Sequence, residues 1–187
     1  MKNVGVVGGG LMGSGIAEVS ARAGQDVVVV ESSDAAAKAA LGRLEKSLQR
    51  AAAKGKLAAN GGSVEEVLDR IQVVTDLDAL ADRDVVVEAI VEDEAAKVAL
   101  FKQLDAVVEA PDAILASNTS SIPIMKLGVV TSRPQQVIGV HFFNPVPVLQ
   151  LVELVPSLLT SADTTERSRA WVQDGLKAGE KVILYPG

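Results

Sequence analysis

The only histidine of this 187-residue chain, His141, lies 12 residues before a carboxylate, Glu153, in the next predicted strand. A turn built on Pro145 and Pro147 would bring the two side chains together. Because a carboxylate orients an imidazole and favours its charged form, such a pair can take a proton from an alcohol. A histidine beside two phenylalanines is also typical of a packing residue, so the pattern alone leaves both interpretations open.

A glycine-rich loop at residues 8–13 forms a second candidate site. It reads Gly-Gly-Gly-Leu-Met-Gly, fits the pattern G-x-G-x-x-G, follows an apolar strand and opens a helix. The first glycine of the pattern permits the tight turn, the second lets the backbone approach a pyrophosphate, and the third allows the helix to pack closely on the sheet. The diphosphate of a dinucleotide would then lie on the amide groups at the helix N-terminus. The predicted cofactor contacts are Gly8, Gly10, Leu11, Met12 and Gly13.

The acid that such a loop requires is Glu31, at the end of the second predicted strand and 18 residues after the last glycine. Its carboxylate can accept hydrogen bonds from both hydroxyls of an adenosine ribose and repel a 2′-phosphate, which favours NAD over NADP. The alternative is a glycine-rich turn in which Glu31 is an ordinary capping acid. Because strand, loop, helix and acid occur in this order, we predict dinucleotide binding.

These residues need a parallel sheet to position them, and the hydrophobic pattern predicts one. Short β-branched runs alternate with longer helical patterns, which indicates βαβ units, and runs such as 27–30 are continuous, as in strands buried on both faces. We predict an α/β fold of the Rossmann type, with a doubly wound, mostly parallel sheet. The predicted strands are 3–7, 26–31, 71–75, 84–89, 113–117, 137–142 and 150–155, and the predicted helices are 12–23, 34–55, 64–69, 94–109 and 164–178.

One part of this pattern departs from a minimal dinucleotide domain. The long helix after the second strand is followed by a turn at Asn60-Gly61-Gly62 and a second short helix, which predicts an inserted helical hairpin. Asp93 and Asp163 precede later helices and are predicted to cap them.

The composition limits the classes of function. With no cysteine, the chain has no disulfides and no thiol catalysis, and it suits a reducing cytosol, so we expect a cytoplasmic protein. The 24 acidic and 18 basic side chains give a net charge of −6, which argues against binding to nucleic acid or anionic membranes. No apolar run approaches the roughly 18 residues that a membrane helix needs. A single histidine excludes a metal site with two imidazoles, and no metal site is predicted.

Two polar segments carry a specific resemblance. Residues 141–147, His-Phe-Phe-Asn-Pro-Val-Pro, together with Ala-Ser-Asn-Thr-Ser-Ser at 116–121, resemble the L-3-hydroxyacyl-CoA dehydrogenase family, which includes 3-hydroxybutyryl-CoA dehydrogenases. Residues 12–17, Met-Gly-Ser-Gly-Ile-Ala, and 87–92, Val-Glu-Ala-Ile-Val-Glu, are similar to that family as well. The resemblance runs from residue 3 to about residue 160 and favours a catalytic role for His141.

The resemblance implies an enzyme that uses NAD to oxidise L-3-hydroxyacyl-CoA to 3-oxoacyl-CoA, or that catalyses the reverse reduction. It implies that His141 takes the proton of the 3-hydroxyl group and that Glu153 steadies the charged histidine. It also implies that Ser120 hydrogen-bonds the substrate oxygen and touches the cofactor. The further cofactor contacts it implies, at the nicotinamide end and its ribose, are Asn144, Glu92 and Lys97. A solvated helix start is the alternative for the last two.

The inserted hairpin is basic. Residues 38–56 carry six basic side chains and one acidic one, a local charge of +5. Such a face suits an anionic ligand, and the phosphates of coenzyme A are one. The resemblance implies coenzyme A contacts for Ser47 and Lys54, while a solvated charged face is the alternative.

Members of the family continue into a second, helical domain that supplies the dimer interface and an active-site asparagine. The 187 residues end at Tyr-Pro-Gly, and we assign 1–187 to the NAD-binding domain, with the match weakest after Ser161. A substrate cleft without the second domain stays open to water, which weakens its electrostatic interactions. We therefore expect this chain alone to bind NAD but to turn over acyl-CoA poorly.

Two other functions stay open at this point. A dehydrogenase of a free hydroxy acid or sugar acid would keep His141 and Glu153 but would have no use for the basic helix face. A non-enzymatic protein that retains NAD binding would need neither residue.

Overall fold

A computed structural model describes residues 1–57, residues 62–176 and the backbone of residues 182–184. Eight strands form one sheet: β1 Asn3–Val7, β2 Asp26–Val30, β3 Ile71–Val74, β4 Val85–Glu88, β5 Ile114–Ser117, β6 Val137–Phe142, β7 Val152–Pro156 and β8 Val182–Leu184. Their spatial order is β3-β2-β1-β4-β5-β6-β7-β8. The first six strands run parallel, β7 runs antiparallel to β6, and β8 runs parallel to β7. The predicted mostly parallel sheet is thus confirmed.

Six α-helices accompany the sheet: α1 Leu11–Arg22, α2 Asp34–Ala53, α3 Val64–Leu68, α4 Glu94–Val107, α5 Ile124–Gly128 and α6 Ala162–Ala170. Two separate hydrophobic clusters cover the two faces of the sheet, so the doubly wound arrangement is confirmed. Within β2, for example, Val27 and Val29 pack in one cluster while Val28 and Val30 pack in the other. This two-sided burial explains why the strand is a continuous apolar run.

Most predicted elements agree with the structure to within a few residues, and the last predicted helix continues past α6 as a π-helical turn, Trp171–Gly175. The elements that were not predicted are all short: helix α5, strand β8 and the 3₁₀ helices Leu77–Leu80 and Pro134–Gln136. The inserted hairpin is confirmed as α2 and α3 between β2 and β3. Part of its predicted turn, Asn60 and Gly61, lies outside the described residues, as do residues 177 and 178 of the last predicted helix.

Helix capping follows the prediction at one position and differs at another. Asp93 caps α4 by accepting a hydrogen bond from the Ala96 N–H at 2.8 Å. The cap of α6 is Ser161, whose hydroxyl accepts from the Thr164 N–H at 3.0 Å, so the assignment of Asp163 was wrong. The helix begins two residues earlier than predicted, which leaves Asp163 within its first turn.

The sheet collects the polar segments at one edge. Because β1, β2, β4, β5 and β6 are parallel, the residues that follow them all emerge at the carboxyl ends of the strands, where α/β proteins bind ligands. None of the helices in the described ranges is long and apolar enough to cross a bilayer.

Candidate active site

The histidine and the glutamate predicted as a pair are in contact. His141 on β6 is the register partner of Glu153 on β7, and its Nδ1 lies 2.8 Å from Glu153 Oε2. The side chains are 21% and 18% exposed, so the pair is shielded but reachable. A carboxylate can only accept a hydrogen bond, so it places the hydrogen on Nδ1 and leaves the lone pair on Nε2. Phe143 covers the imidazole, with ring centroids 4.7 Å apart.

His141 lines a cleft of about 330 Å³ at the carboxyl edge of the sheet. The cleft is bounded by the start of α1 and by the segments that follow β4, β5 and β6. These elements are distant in the sequence but adjacent in the sheet. The cleft brings together six of the predicted site residues: Met12, Glu92, Lys97, Ser120, His141 and Asn144.

The loop that carries Ser120 is held by Glu92. One oxygen of the Glu92 carboxylate accepts hydrogen bonds from the Ser120 N–H at 3.2 Å, from the Ser121 hydroxyl at 3.0 Å and from the Thr119 hydroxyl. Burial opposes ionisation, but the hydrogen bonds from Thr119 and Lys97 outweigh it and hold the pKa of Glu92 at about 2. The backbone of Ser120 is thereby fixed, while the residue stays exposed at the cleft.

Lys97 lies between two carboxylates rather than in solvent. Its Nζ is 2.7 Å from Glu88 Oε1 and 2.9 Å from Glu92 Oε2, and its side chain is only 1% exposed. A solvated helix start is therefore wrong for Lys97. A charge this deeply buried is tolerated only when it is paired, as it is here.

Glu88 was not identified from the sequence as a site residue. It is fully buried at the end of β4, where it accepts from Lys97 and from the Ile90 N–H at 2.8 Å through one oxygen, and from the Ser117 hydroxyl at 2.6 Å through the other. The signal in the sequence that could have identified Glu88 is an acidic residue directly after the apolar run 85–87. Through these hydrogen bonds Glu88 links the end of β4 to the end of β5 and to α4, beneath the cleft.

The glycine loop has the shape that a dinucleotide requires. Gly8 has a φ of +93°, and a Cβ there would lie 2.7 Å from the carbonyl oxygen of Ala89. A Cβ at Gly13 would lie 1.7 Å from the Gly8 oxygen, whereas one at Gly10 would meet nothing within 4 Å. The N-cap of α1 is Gly10, which has no side chain that could accept a hydrogen bond. The first amides of the helix, at Leu11 and Met12, are therefore not capped by a side chain. These features fit a pyrophosphate.

Glu31 lies beside this loop, as predicted for a ribose ligand. It follows β2, and its Oε1 accepts a hydrogen bond from the Gly9 N–H at 2.7 Å. Its other oxygen is 3.2 Å from the Ser32 N–H. The carboxylate is half-buried, so a ribose can reach it.

A second cleft of about 290 Å³ lies between α1, α2 and residues 144–147. Ser47 is one of its lining residues and hydrogen-bonds Glu18, a buried acid whose pKa is raised by that burial. Asn144 lines both clefts. Lys54, the other predicted coenzyme A contact, is exposed at the end of α2, outside the cleft.

The basic side chains in the second cleft share one face of α2. They follow the spacing i, i+3 and i+7, which a helix turns to the same side: Arg43, Lys46 and Arg50. Lys54 continues this face seven residues beyond Ser47, about 10 Å along the helix.

Comparisons with known proteins identify the family of this arrangement. A family profile described as 3-hydroxyacyl-CoA dehydrogenase, NAD binding domain, matches residues 3–183. The 3-hydroxybutyryl-CoA dehydrogenase of Mycobacterium tuberculosis is 51% identical over 183 residues, which cover 98% of this chain and 63% of that protein. A probable 3-hydroxybutyryl-CoA dehydrogenase of Bacillus subtilis is 44% identical over 187 residues, covering 100% of this chain and 64% of the relative.

A solved structure agrees with these relatives. The crystal structure of (S)-3-hydroxybutyryl-CoA dehydrogenase from Ralstonia eutropha superposes with a TM-score of 0.91 at 42% identity. The match covers 98% of this chain and 63% of that one. The chain thus spans slightly less than two thirds of the length of each of these three relatives.

Proposed function

The chain belongs to the 3-hydroxyacyl-CoA dehydrogenase family, and from that premise we propose that it forms the cofactor-binding and proton-transferring part of an L-3-hydroxyacyl-CoA dehydrogenase. The reaction is oxidation of L-3-hydroxyacyl-CoA to 3-oxoacyl-CoA with NAD, or its reverse, and residues 1–187 form the NAD-binding domain. The observation that carries this proposal is the contact of Glu153 with His141, which lines the same cleft as Ser120 and as Met12 of the glycine loop.

The residues of the cleft divide the chemistry between them. His141 Nε2 takes the proton of the substrate hydroxyl group, and Glu153 stabilises the imidazolium that results. Ser120 donates a hydrogen bond to the substrate oxygen as that oxygen becomes a carbonyl. The glycine loop would hold NAD, which would supply the hydride acceptor, so the alcohol would lose its hydroxyl proton to His141 and a hydride from C3 to the cofactor.

The second cleft supports an acyl-CoA substrate over a free hydroxy acid. Its three basic side chains provide positive charge for phosphates, and Lys54 extends the same helix face outward. The cleft adjoins the first one at Asn144, so a ligand with an acyl end and a phosphorylated end can occupy both. A free acid would leave the basic face unused.

The proposal extends to the setting of the enzyme. The absence of cysteine supports a cytoplasmic location, and the net charge of −6 argues against nucleic acid or membrane partners. A homodimer would form through the helical second domain that is typical of the family.

A single-turnover experiment tests the function. The 187-residue protein, in excess over NAD and 3-hydroxybutyryl-CoA, should form NADH slowly, and the His141→Gln variant should form none while binding NAD with unchanged affinity. If His141→Gln also loses NAD binding, His141 is a packing residue and the catalytic assignment is wrong. Faster reaction with free 3-hydroxybutyrate would favour a hydroxy acid dehydrogenase, and binding without any NADH would favour a non-enzymatic protein.

Coenzyme A affinity provides the matching test for the substrate. Coenzyme A should bind the wild-type protein, and both Arg50→Ala and Lys54→Ala should weaken it, with the effect decreasing at high ionic strength. Equal binding by wild type and both variants would leave the basic face without a role in the reaction.

A further inference from the structure

The carbonyl group of Gly9, in the glycine loop, accepts hydrogen bonds from a side chain of α2, the helix that lines the second cleft. Arg43 on α2 donates two hydrogen bonds to the Gly9 oxygen, from Nε at 3.0 Å and from Nη2 at 2.7 Å. The Ser14 hydroxyl donates a third at 2.7 Å. On its other side Gly9 donates its N–H to Glu31 at 2.7 Å. Both polar groups of this residue are therefore fixed by side chains.

The orientation of one peptide unit follows from these contacts. The Gly9 C=O and the Gly10 N–H belong to the same planar, trans peptide and point in opposite directions. Because the carbonyl points to Arg43 and Ser14, the Gly10 N–H points away from them. Within residues 1–57 and 62–176 this N–H has no hydrogen-bond acceptor, and a Cβ on Gly10 would meet nothing within 4 Å. It is one of the amides at the start of α1 that would bind a pyrophosphate.

We infer that Arg43 is a positioning residue for the cofactor: by fixing the Gly9–Gly10 peptide, it aims the Gly10 N–H at the pyrophosphate of NAD. This inference rests on the NAD-binding part of the proposed function. A charged donor polarises the carbonyl that it bonds, which makes the N–H of the same peptide a stronger donor. The guanidinium suits this task because two of its N–H groups reach one oxygen from a fixed plane.

Arg43 differs in this respect from its neighbours on the basic face. Lys46 and Arg50 are exposed, whereas Arg43 is half-buried and bonded to the loop. The charge of Arg43 also lies in the wall of the second cleft, so one side chain borders both ligand sites. The position of Arg43 therefore predicts an effect on NAD that the other two do not share.

Equilibrium binding of two ligands separates positioning from other effects. The ligands are NAD and adenosine, which lacks the pyrophosphate. Arg43→Leu should raise the Kd for NAD roughly tenfold and change the Kd for adenosine less than about twofold. Ser14→Ala removes a donor to the same carbonyl without changing the charge, and it should weaken NAD by a smaller factor in the same selective way. Arg43→Lys should fall between Arg43→Leu and wild type.

A charge-matched control is Lys38→Leu, which removes a positive charge from an exposed position on the same helix. If it weakens NAD as much as Arg43→Leu does, the effect is long-range charge and the inference is wrong. The inference is also wrong if Arg43→Leu weakens adenosine as much as NAD, or if Arg43→Lys and Ser14→Ala both bind NAD like wild type. Failure of the wild-type protein to bind NAD would instead overturn the cofactor assignment itself.

Discussion

His141 and Glu153 face each other across the only antiparallel pairing in the described sheet, and this register brings Nδ1 of one to 2.8 Å from Oε2 of the other. The reversal of direction between β6 and β7 is what makes the contact possible. In a parallel arrangement the two residues would need a crossover of a dozen or more residues between them. The proposed base and its partner are thus set by strand pairing rather than by a loop.

Replacing Glu153 with Gln tests this pairing directly. The amide keeps the size of the side chain but cannot stabilise a charged imidazole, so we expect the rate of NADH formation to fall roughly 10²-fold. The Kd for NAD should stay unchanged, because Glu153 lies behind His141. Single-turnover rates and equilibrium binding measure the two quantities. A variant with the wild-type rate would show that Glu153 has no part in proton transfer.

The sequence was sufficient for those parts of the site that depend on local pattern. The glycine loop, Glu31 and the continuous valine runs each lie within one βαβ unit, and the structure places all of them as expected. The contact of His141 with Glu153 was also expected, because the two residues lie on consecutive predicted strands and a turn at Pro145 and Pro147 can bring such strands together.

The remaining features depend on packing between distant segments. The sequence of residues 88–97 does not predict that Lys97 contacts the buried Glu88, because that contact depends on how α4 packs against the sheet. The hydrogen bonds of Arg43 to Gly9 join residues 34 positions apart, and the sequence showed only a basic helix face. The choice between Ser161 and Asp163 as the N-cap of α6 depended on where the helix begins. The prediction placed that start two residues late, which is the usual uncertainty of a helix boundary.

Removal of the buried lysine should destabilise the fold strongly. Lys97→Met leaves Glu88 buried without its cation, and breaking a buried ion pair in this way costs about 3–5 kcal/mol in free energy of unfolding. Urea denaturation measures the change. Lys102→Met is the matched control, since Lys102 lies exposed on the same helix and should cost little.

A second substitution tests whether the unpaired charge of Glu88 causes the loss of stability in Lys97→Met. Glu88→Gln in the Lys97→Met background removes the unpaired charge, so the double variant should be more stable than Lys97→Met alone. A double variant that is less stable than Lys97→Met would contradict the assignment of the ion pair as the source of the loss.

The low pKa of Glu92 predicts how stability changes with pH. The pKa lies near 2 in the folded protein, against an ordinary value of 4.5, so the carboxylate stabilises the fold fully above about pH 4.5. That contribution is lost as the pH falls from 4.5 towards 2. Because the side chain is 41% exposed, solvent screens the interaction, and we expect about 1 kcal/mol at neutral pH.

The measurement compares wild type with Glu92→Gln by urea unfolding at several pH values. The stability difference should be largest near neutral pH and should shrink below about pH 4.5. Asp78→Asn serves as the control for the loss of one exposed negative charge. A difference between wild type and Glu92→Gln that stays constant down to pH 3 would contradict the assignment.

We expect Glu31 to determine the preference of the protein for NAD over NADP. On the proposed function its carboxylate would bond the ribose hydroxyls of NAD and repel the 2′-phosphate of NADP. Glu31→Ala should raise the Kd for NAD roughly tenfold and leave the Kd for NADP unchanged or lower, which binding titrations of both cofactors measure. Ser32→Ala, at the next, exposed position, should keep the wild-type ratio. Since Glu31 also accepts the Gly9 N–H, an equal loss of affinity for both cofactors would mean that it acts by holding the loop and does not read the ribose.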